Sequence, residues 1–152
     1  MKICKNLLLV VVTVFSIVTA YPVKAESSSA PLAIEGYSPV SYFETGEPQR
    51  GSPRFSAEYN QRTYHFTDAD QLARFKANPA SYEPLFPEHC PFSLTLGRET
   101  AIDPTNFKIV EGHLLLFHRS EEMDGLEEWE SHDKDEKELL ERATGQYTLF
   151  RF

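Results

Sequence analysis

Cysteine, basic residues and long apolar runs are all scarce in this chain. Only two of its 152 residues are cysteines, Cys4 and Cys90, which excludes a scaffold held together by several disulfides. Lysine and arginine number 15 against 23 aspartates and glutamates, and the net charge of −8 disfavours binding to nucleic acid or anionic lipid. The longest mainly apolar stretch, 7–18, is too short to span a bilayer, which needs about 20 residues.

The amino-terminal segment has the pattern of a cleavable export signal. Lys2 and Lys5 supply positive charge ahead of the apolar stretch, and Val23-Lys24-Ala25 resembles a cleavage site. Val18-Thr19-Ala20 is a second site of this kind, and an uncleaved membrane anchor is the alternative interpretation. We expect residues 1–25 to be a signal peptide, which predicts a periplasmic or secreted protein with no stable membrane anchor after cleavage.

The segment after the predicted signal has the length of one domain. It contains 127 residues, enough for its own core. Because the signal holds three lysines and no acidic residue, its removal lowers the net charge from −8 to −11. This charge is compatible with cationic partners or metal ions, and it also serves solubility. We expect a flexible, serine-rich tether over 26–31, a domain over 32–145 and a short tail over 146–152.

Two stretches have the pattern of β-hairpins. The first spans 55–66 and turns at Asn60-Gln61, with apolar and polar side chains in alternation. The second spans 107–118 and turns at Glu111-Gly112. Its apolar run, 114–117, is typical of a strand that is covered on both faces.

Helix signals lie between and after the hairpins. Helices are predicted after the caps Ser38, Asp68 and Ser120, over 92–96, and over 133–143. Short strands are predicted over 32–34 and in the aromatic tail. This order of elements indicates an α+β fold, a small single domain with two short antiparallel hairpins and several packed helices.

Several separated motifs resemble those of small exported proteins with a YHS domain. They occur in the same order over most of the chain after the signal, at 36–43, Tyr64-His65-Phe66, 75–79 with Tyr82, Cys90, Leu96-Gly97, Asp103-Pro104 and 107–117. The resemblance implies the fold. Relatives of this domain occur in heavy-metal transport ATPases and multicomponent hydroxylases, where cysteines bind metal.

The same resemblance implies a role for Cys90. In the small exported branch a cysteine matches this position, and some members carry selenocysteine there, which implies redox or soft-metal chemistry. The metal-binding relatives have cysteines where this chain has Ser41 and Thr67, so those ligands are missing. The proteins of the small exported branch usually have a glycine-rich segment before their cysteine, whereas 86–91 here reads Phe-Pro-Glu-His-Cys-Pro.

Cys90 is the residue on which a chemical function depends. Once Cys4 leaves with the signal, Cys90 has no internal partner and is expected to be free, modified, metal-bound or paired with another molecule. A helix that begins near Phe92 would place Cys90 at its N-cap, where the positive end of the helix favours a thiolate. A buried and inert thiol is the alternative.

Three functions follow from these interpretations of Cys90. The leading hypothesis is a non-catalytic binding module in which Cys90, His89 and His65 bind a soft, copper-like metal ion. The first alternative is a thiol redox protein, which needs a thiol partner protein because the mature chain has no second cysteine. The second is a structural or interaction domain. The sequence lacks the motifs of serine hydrolases, phosphate-binding loops and zinc proteases, which favours a protein that is not an enzyme.

Overall fold

The computed structural model describes residues 30–132 and 136–151. The predicted signal peptide and most of the predicted tether lie outside these residues. In chain order the helices and strands are α1 (Ser41–Glu44), β1 (Ser52–Tyr59), β2 (Arg62–Phe66), α2 (Ala69–Ala77), α3 (Pro91–Thr95), β3 (Phe107–Val110), β4 (His113–Leu116), α4 (Gly125–Ser131) and α5 (Glu136–Phe150). This confirms the predicted α+β fold with two short antiparallel hairpins. Within the described ranges, no helix has the length and apolar character needed to cross a membrane.

The first hairpin pairs β1 with β2 around the predicted turn. Asn60 and Gln61 both have positive φ, 46° and 60°, a conformation that matches the twist of paired strands but favours glycine over glutamine. The register shifts between Ser52 and Ser56, at a β-bulge. Gly51, just before β1, lies so close to β2 that only a glycine fits there.

The second hairpin, β3 and β4, stands between two core clusters. The Cys90 cluster comprises Phe86, Cys90, Phe92, Leu94, Val110, Leu115, Phe117, Trp129, Leu139 and Ala143. The Tyr64 cluster comprises Ala33, Ile34, Val40, Tyr42, Tyr64, Phe66, Phe75, Leu114 and Leu116. Because side chains alternate along a strand, Leu114 and Leu116 enter one cluster and Leu115 enters the other. The continuous apolar run is buried on both faces, as predicted.

The amino-terminal part of the domain differs from the prediction. Leu32 forms only an isolated bridge with Thr63, and a short 3₁₀ turn over Ala33–Gly36 replaces the predicted strand. The first helix begins at Ser41 rather than after Ser38, because the Ser38 hydroxyl donates to Gln71 Oε1 at 2.6 Å and does not cap the helix.

The carboxy-terminal helices also differ from the prediction. Asp124, not Ser120, caps α4, and its carboxylate accepts hydrogen bonds from the first turn of that helix. Helix α5 continues through Gly145 to Phe150, so the predicted strand in the tail is wrong. Tyr147 explains the extension, since its ring packs against Phe86 at a centroid distance of 5.3 Å.

Candidate functional site

Cys90 caps α3 as predicted, but its sulfur lies in the protein interior. The residue has no exposed surface and packs in the Cys90 cluster among Phe86, Leu94 and Trp129. Its backbone N–H donates to the carbonyl oxygen of Thr100 at 2.9 Å, and its side chain makes no capping hydrogen bond. Solvent or a partner reaches this sulfur only if the cluster opens.

His89 lies on the outer side of the same turn. Its side chain is 22% exposed, and Nε2 lies 3.7 Å from Glu99 Oε1. The ring also packs near Tyr147, at a centroid distance of 5.8 Å. The imidazole therefore lies beside a carboxylate and an aromatic ring near the surface, while the adjacent Cys90 is fully buried.

His65 borders the other core cluster. It lies on β2 between the buried Tyr64 and Phe66, with its Nδ1 next to Gly36. Among residues 30–132 and 136–151, no three side chains of histidine, cysteine, aspartate or glutamate form a group that could hold a metal ion. As arranged, Cys90, His89 and His65 do not form a ligand set, and metal binding at Cys90 stays a prediction.

A groove of about 410 Å³ lies beside the turn of the first hairpin. We call it the Arg62 groove, and it is lined by Pro31, Asn60, Gln61, Arg62, Glu88 and Arg151. A recess of about 60 Å³ shares Asn60, Arg62 and Arg151 with the groove and is completed by Glu83, Pro84, Leu85, Pro87 and Tyr147. The groove thus forms where the turn of the first hairpin, the proline-rich loop over 82–90 and the end of α5 meet.

Arg62 is the cation held in place within this groove. Its side chain is 19% exposed, and Nη2 lies 3.2 Å from Glu88 Oε2. Nε donates to Glu88 Oε1, and Nη1 donates to the carbonyl oxygen of Asn60, both at 3.3 Å. Partial burial lowers the pKa of Arg62, but the hydrogen bond and charge of Glu88 outweigh it and raise the pKa. The guanidinium therefore remains charged and oriented.

Glu83 is the carboxylate of the adjoining recess, and both of its oxygens accept hydrogen bonds. Oε1 accepts from the Tyr64 hydroxyl at 2.9 Å, and Oε2 accepts from Asn60 Nδ2 at 2.8 Å. Burial, with the nearby charge of Glu83, raises the pKa of Tyr64 far above its usual value, so the phenol stays protonated and donates. Arg151 lies across the recess, with its guanidinium carbon 5.5 Å from the centroid of the Tyr147 ring.

A second polar network, centred on Asp124, joins α4 to the second hairpin. Oδ1 of Asp124 accepts from Asn106 Nδ2 at 2.8 Å and from the backbone N–H of Leu126 at 3.0 Å. Oδ2 accepts from Arg119 Nε at 3.1 Å. Asn106 is fully buried and also accepts from Arg119 Nη2 at 2.8 Å. Every member therefore has a structural partner, which is typical of a network that fixes the fold.

We expect stability to fall between about pH 4 and pH 2 as Asp124 is protonated. Partial burial opposes ionisation, but the hydrogen bonds from Asn106, Arg119 and the helix turn outweigh it and lower the pKa to about 2. Because an unfolded aspartate has a pKa of about 3.9, the ionised carboxylate stabilises the fold above that pH, and this contribution is lost as the pH falls through 2.

The measurement is urea unfolding between pH 7 and pH 2. Asp124→Asn should flatten the acid limb of the stability curve. Glu58→Gln, which removes an exposed carboxylate on β1, should leave it unchanged. An acid limb in Asp124→Asn as steep as in the wild type would contradict the prediction.

Sequence reasoning did not identify the Arg62 groove. Arg62 and Arg151 are far apart in the chain, and only the packing of α5 brings them to one groove. One local signal was present, since Gln61 occupies a turn position that favours glycine.

The comparisons with known proteins give no match, whether to family models, to curated proteins or to solved structures. The likeness to YHS-domain proteins therefore depends on the motifs in the sequence alone.

Proposed function

We propose that this chain is an exported, non-catalytic binding module of the YHS type in which Cys90 is a packing residue of the core. The observation that carries the packing role of Cys90 is its complete burial in an apolar cluster, while export and the YHS type follow from the sequence motifs. A thiolate must be accessible to attack a disulfide in a partner protein, and a buried sulfur with no exposed surface is not. Free cysteine is among the most buried residue types and behaves there as a small apolar side chain.

The metal hypothesis and the redox hypothesis both require a change in the structure around Cys90. Each requires the Cys90 cluster to open, the first to admit ligands such as His89 and the second to admit a partner thiol. The side chain of His89 interacts with Glu99 at the surface, so an ion shared with Cys90 would also require this contact to change. A binding module with a closed core requires no such rearrangement, which is why we favour it.

Alkylation of Cys90 tests the proposal directly. In the Cys4→Ser variant Cys90 is the only thiol, so the mass gain with iodoacetamide reports on this residue alone. We expect alkylation of the folded protein to be at least about a hundredfold slower than in denaturant, because the sulfur reacts only when its cluster opens. Rapid alkylation of the folded protein would overturn the proposal.

A Cu(I) titration separates the proposal from its leading rival. We expect the Cys4→Ser protein and the Cys4→Ser/Cys90→Ser protein to bind Cu(I) equally weakly, with circular dichroism confirming that both are folded. Stoichiometric Cu(I) binding that depends on Cys90 would favour the soft-metal module instead. A mixed disulfide trapped through Cys90 in the native compartment would favour the thiol redox protein.

A further inference from the structure

The carboxylates at the Arg62 groove and its adjoining recess are each engaged by protein donors, whereas the guanidinium groups keep further N–H groups. Both oxygens of Glu88 interact with Arg62, and both oxygens of Glu83 accept hydrogen bonds from Tyr64 and Asn60. A guanidinium carries more N–H groups than the three that Arg62 uses here.

Arg151 adds further donors on the same groove. It has no carboxylate partner in the part of the chain that the structure describes, and its guanidinium lies near the Tyr147 ring. The groove therefore presents two cations, of which only Arg62 is paired with a carboxylate. Negatively charged acceptor oxygens of a ligand are suited to these donors, since Glu88 offsets only one of the two positive charges.

We infer that the Arg62 groove binds a small organic oxyanion, either a carboxylate or a phosphate ester. This inference depends on the proposed function as a binding module and names the chemical class of its ligand. Planar guanidinium groups pair with both kinds of oxyanion through two parallel hydrogen bonds. Arg62 is already oriented by Glu88 and by the carbonyl oxygen of Asn60, so little side-chain entropy is lost on binding.

The size of the groove indicates that the oxyanion is part of a larger molecule. Its volume of about 410 Å³ lies in the range of about 300–1,000 Å³ that small-molecule sites occupy, and an inorganic phosphate ion would leave most of it empty. Pro31 supplies an apolar wall, and Asn60 and Gln61 supply neutral polar groups. These are suitable contacts for the uncharged body of the ligand.

Gln61 is a second polar residue of the turn that borders the groove. Glutamine at φ 60° is strained where glycine would not be. The tight hairpin turn requires this conformation, and Glu111 in the turn of the second hairpin also has positive φ. Gln61 lines the groove, so its amide is in position to contact a ligand.

The net negative charge of the whole chain disfavours large polyanionic ligands. At a net charge of −8 the surface repels polyanions such as nucleic acid. Attraction is local to the two arginines, and added salt should weaken it.

Isothermal titration calorimetry on the full chain tests the inference with four probes, namely citrate, glucose 6-phosphate, inorganic phosphate and uncharged glucose. We expect saturable binding of citrate, of glucose 6-phosphate or of both, weaker binding of inorganic phosphate and none of glucose. Binding of citrate alone identifies the carboxylate as the recognised group, and binding of glucose 6-phosphate alone identifies the phosphate ester.

Variants locate the binding in the groove. Arg151→Gln should weaken the bound probe by about tenfold or more, the usual effect of losing a charge-assisted hydrogen bond. Arg62→Lys keeps the positive charge but cannot form the two parallel hydrogen bonds of a guanidinium, so it should also weaken binding of the probe. Arg98→Gln removes an exposed arginine outside the groove and should bind as the wild type does. Gln61→Gly should bind more weakly while unfolding at a higher temperature.

Three results would overturn the inference. The first is that neither citrate nor glucose 6-phosphate binds saturably to the wild type. The second is that Arg98→Gln weakens probe binding as much as Arg151→Gln does. The third is that inorganic phosphate binds as tightly as the organic anions. If the anions do not bind while Cys90 still resists alkylation, the ligand class is wrong and the closed core of the proposed module stands. If Cys90 is alkylated rapidly while the anions still bind, the closed core is wrong and the ligand class stands.

Discussion

Gly51→Ala is expected to lower the free energy of unfolding by about 3 kcal/mol or more, the upper range for overpacked sites. A methyl group on Gly51 would lie 2.5 Å from the carbonyl carbon of His65 and 2.5 Å from the amide nitrogen of Phe66. These are backbone atoms of β2, so no rotation of a side chain relieves the clash. The N–H of Gly51 also donates to the carbonyl oxygen of Gly36 at 2.8 Å, and a shift that made room would break this bond.

Urea unfolding followed by circular dichroism measures the effect. Gly145→Ala is the matched control, because it lies in α5 and the added carbon has no atom within 4 Å beyond its chain neighbours and the backbone of its own helix. It should be neutral or stabilise the protein by about 0.5–1 kcal/mol, since alanine is the better helix former. If Gly51→Ala were as stable as Gly145→Ala, β1 could not approach β2 as closely as the structure has it.

The second large effect concerns the contact between Cys90 and α4. A methyl group on Gly125 would lie 2.7 Å from the Cys90 sulfur and 3.3 Å from the carbonyl oxygen of His118. Gly125→Ala should therefore cost about 1–3 kcal/mol. Cys90→Ala alone should cost on the order of 1 kcal/mol through the cavity left by the sulfur. The double variant should lose less than the two single variants together, because the methyl group occupies the space of the sulfur.

A double-mutant cycle measures this coupling, which we expect to be about 1 kcal/mol or more. The parallel cycle of Cys90→Ala with Gly145→Ala should give additive effects, since a methyl group on Gly145 would not contact Cys90. Additive effects in the Gly125 cycle would mean that the sulfur points elsewhere, and the burial argument for Cys90 would lose its basis. The cycle thus tests the proposed role of Cys90 without any ligand.

The sequence predicts the parts of the fold that depend on local patterns. Both hairpins could be predicted with their turns, because alternation and turn residues act over a few positions. Helix α2 could be predicted with its cap, since Asp68 accepts from the N–H of Gln71 at 2.9 Å within one helical turn.

Elements that depend on distant partners could not be predicted in this way. Ser120 and Asp124 are both good capping residues by type. Asp124 caps α4 while Asn106 and Arg119 also bind its carboxylate, and Asn106 lies 18 residues earlier in the chain, beyond the second hairpin. The extension of α5 past Gly145 likewise depends on a contact with the proline-rich loop.

In the candidate sites, too, features set by local sequence could be predicted and features set by distant residues could not. The position of Cys90 at a helix N-cap could be predicted from Pro91 and the short apolar run after it. Its burial could not, because α4 and α5 cover it from much later in the chain. The Arg62 groove depends on α5 in the same way, since Arg151 reaches it only when that helix is packed.

Strand β4 has no solvent-facing side after its first residue. From Leu114 to Leu116 every side chain is almost completely buried, and neighbouring side chains enter different clusters. A substitution on either face therefore disturbs one half of the domain, and a shift of one residue would exchange the contents of both halves. The core sequences of the two halves are therefore coupled in evolution. A substitution that changes the volume of one cluster shifts β4, and β4 also supplies side chains to the other cluster.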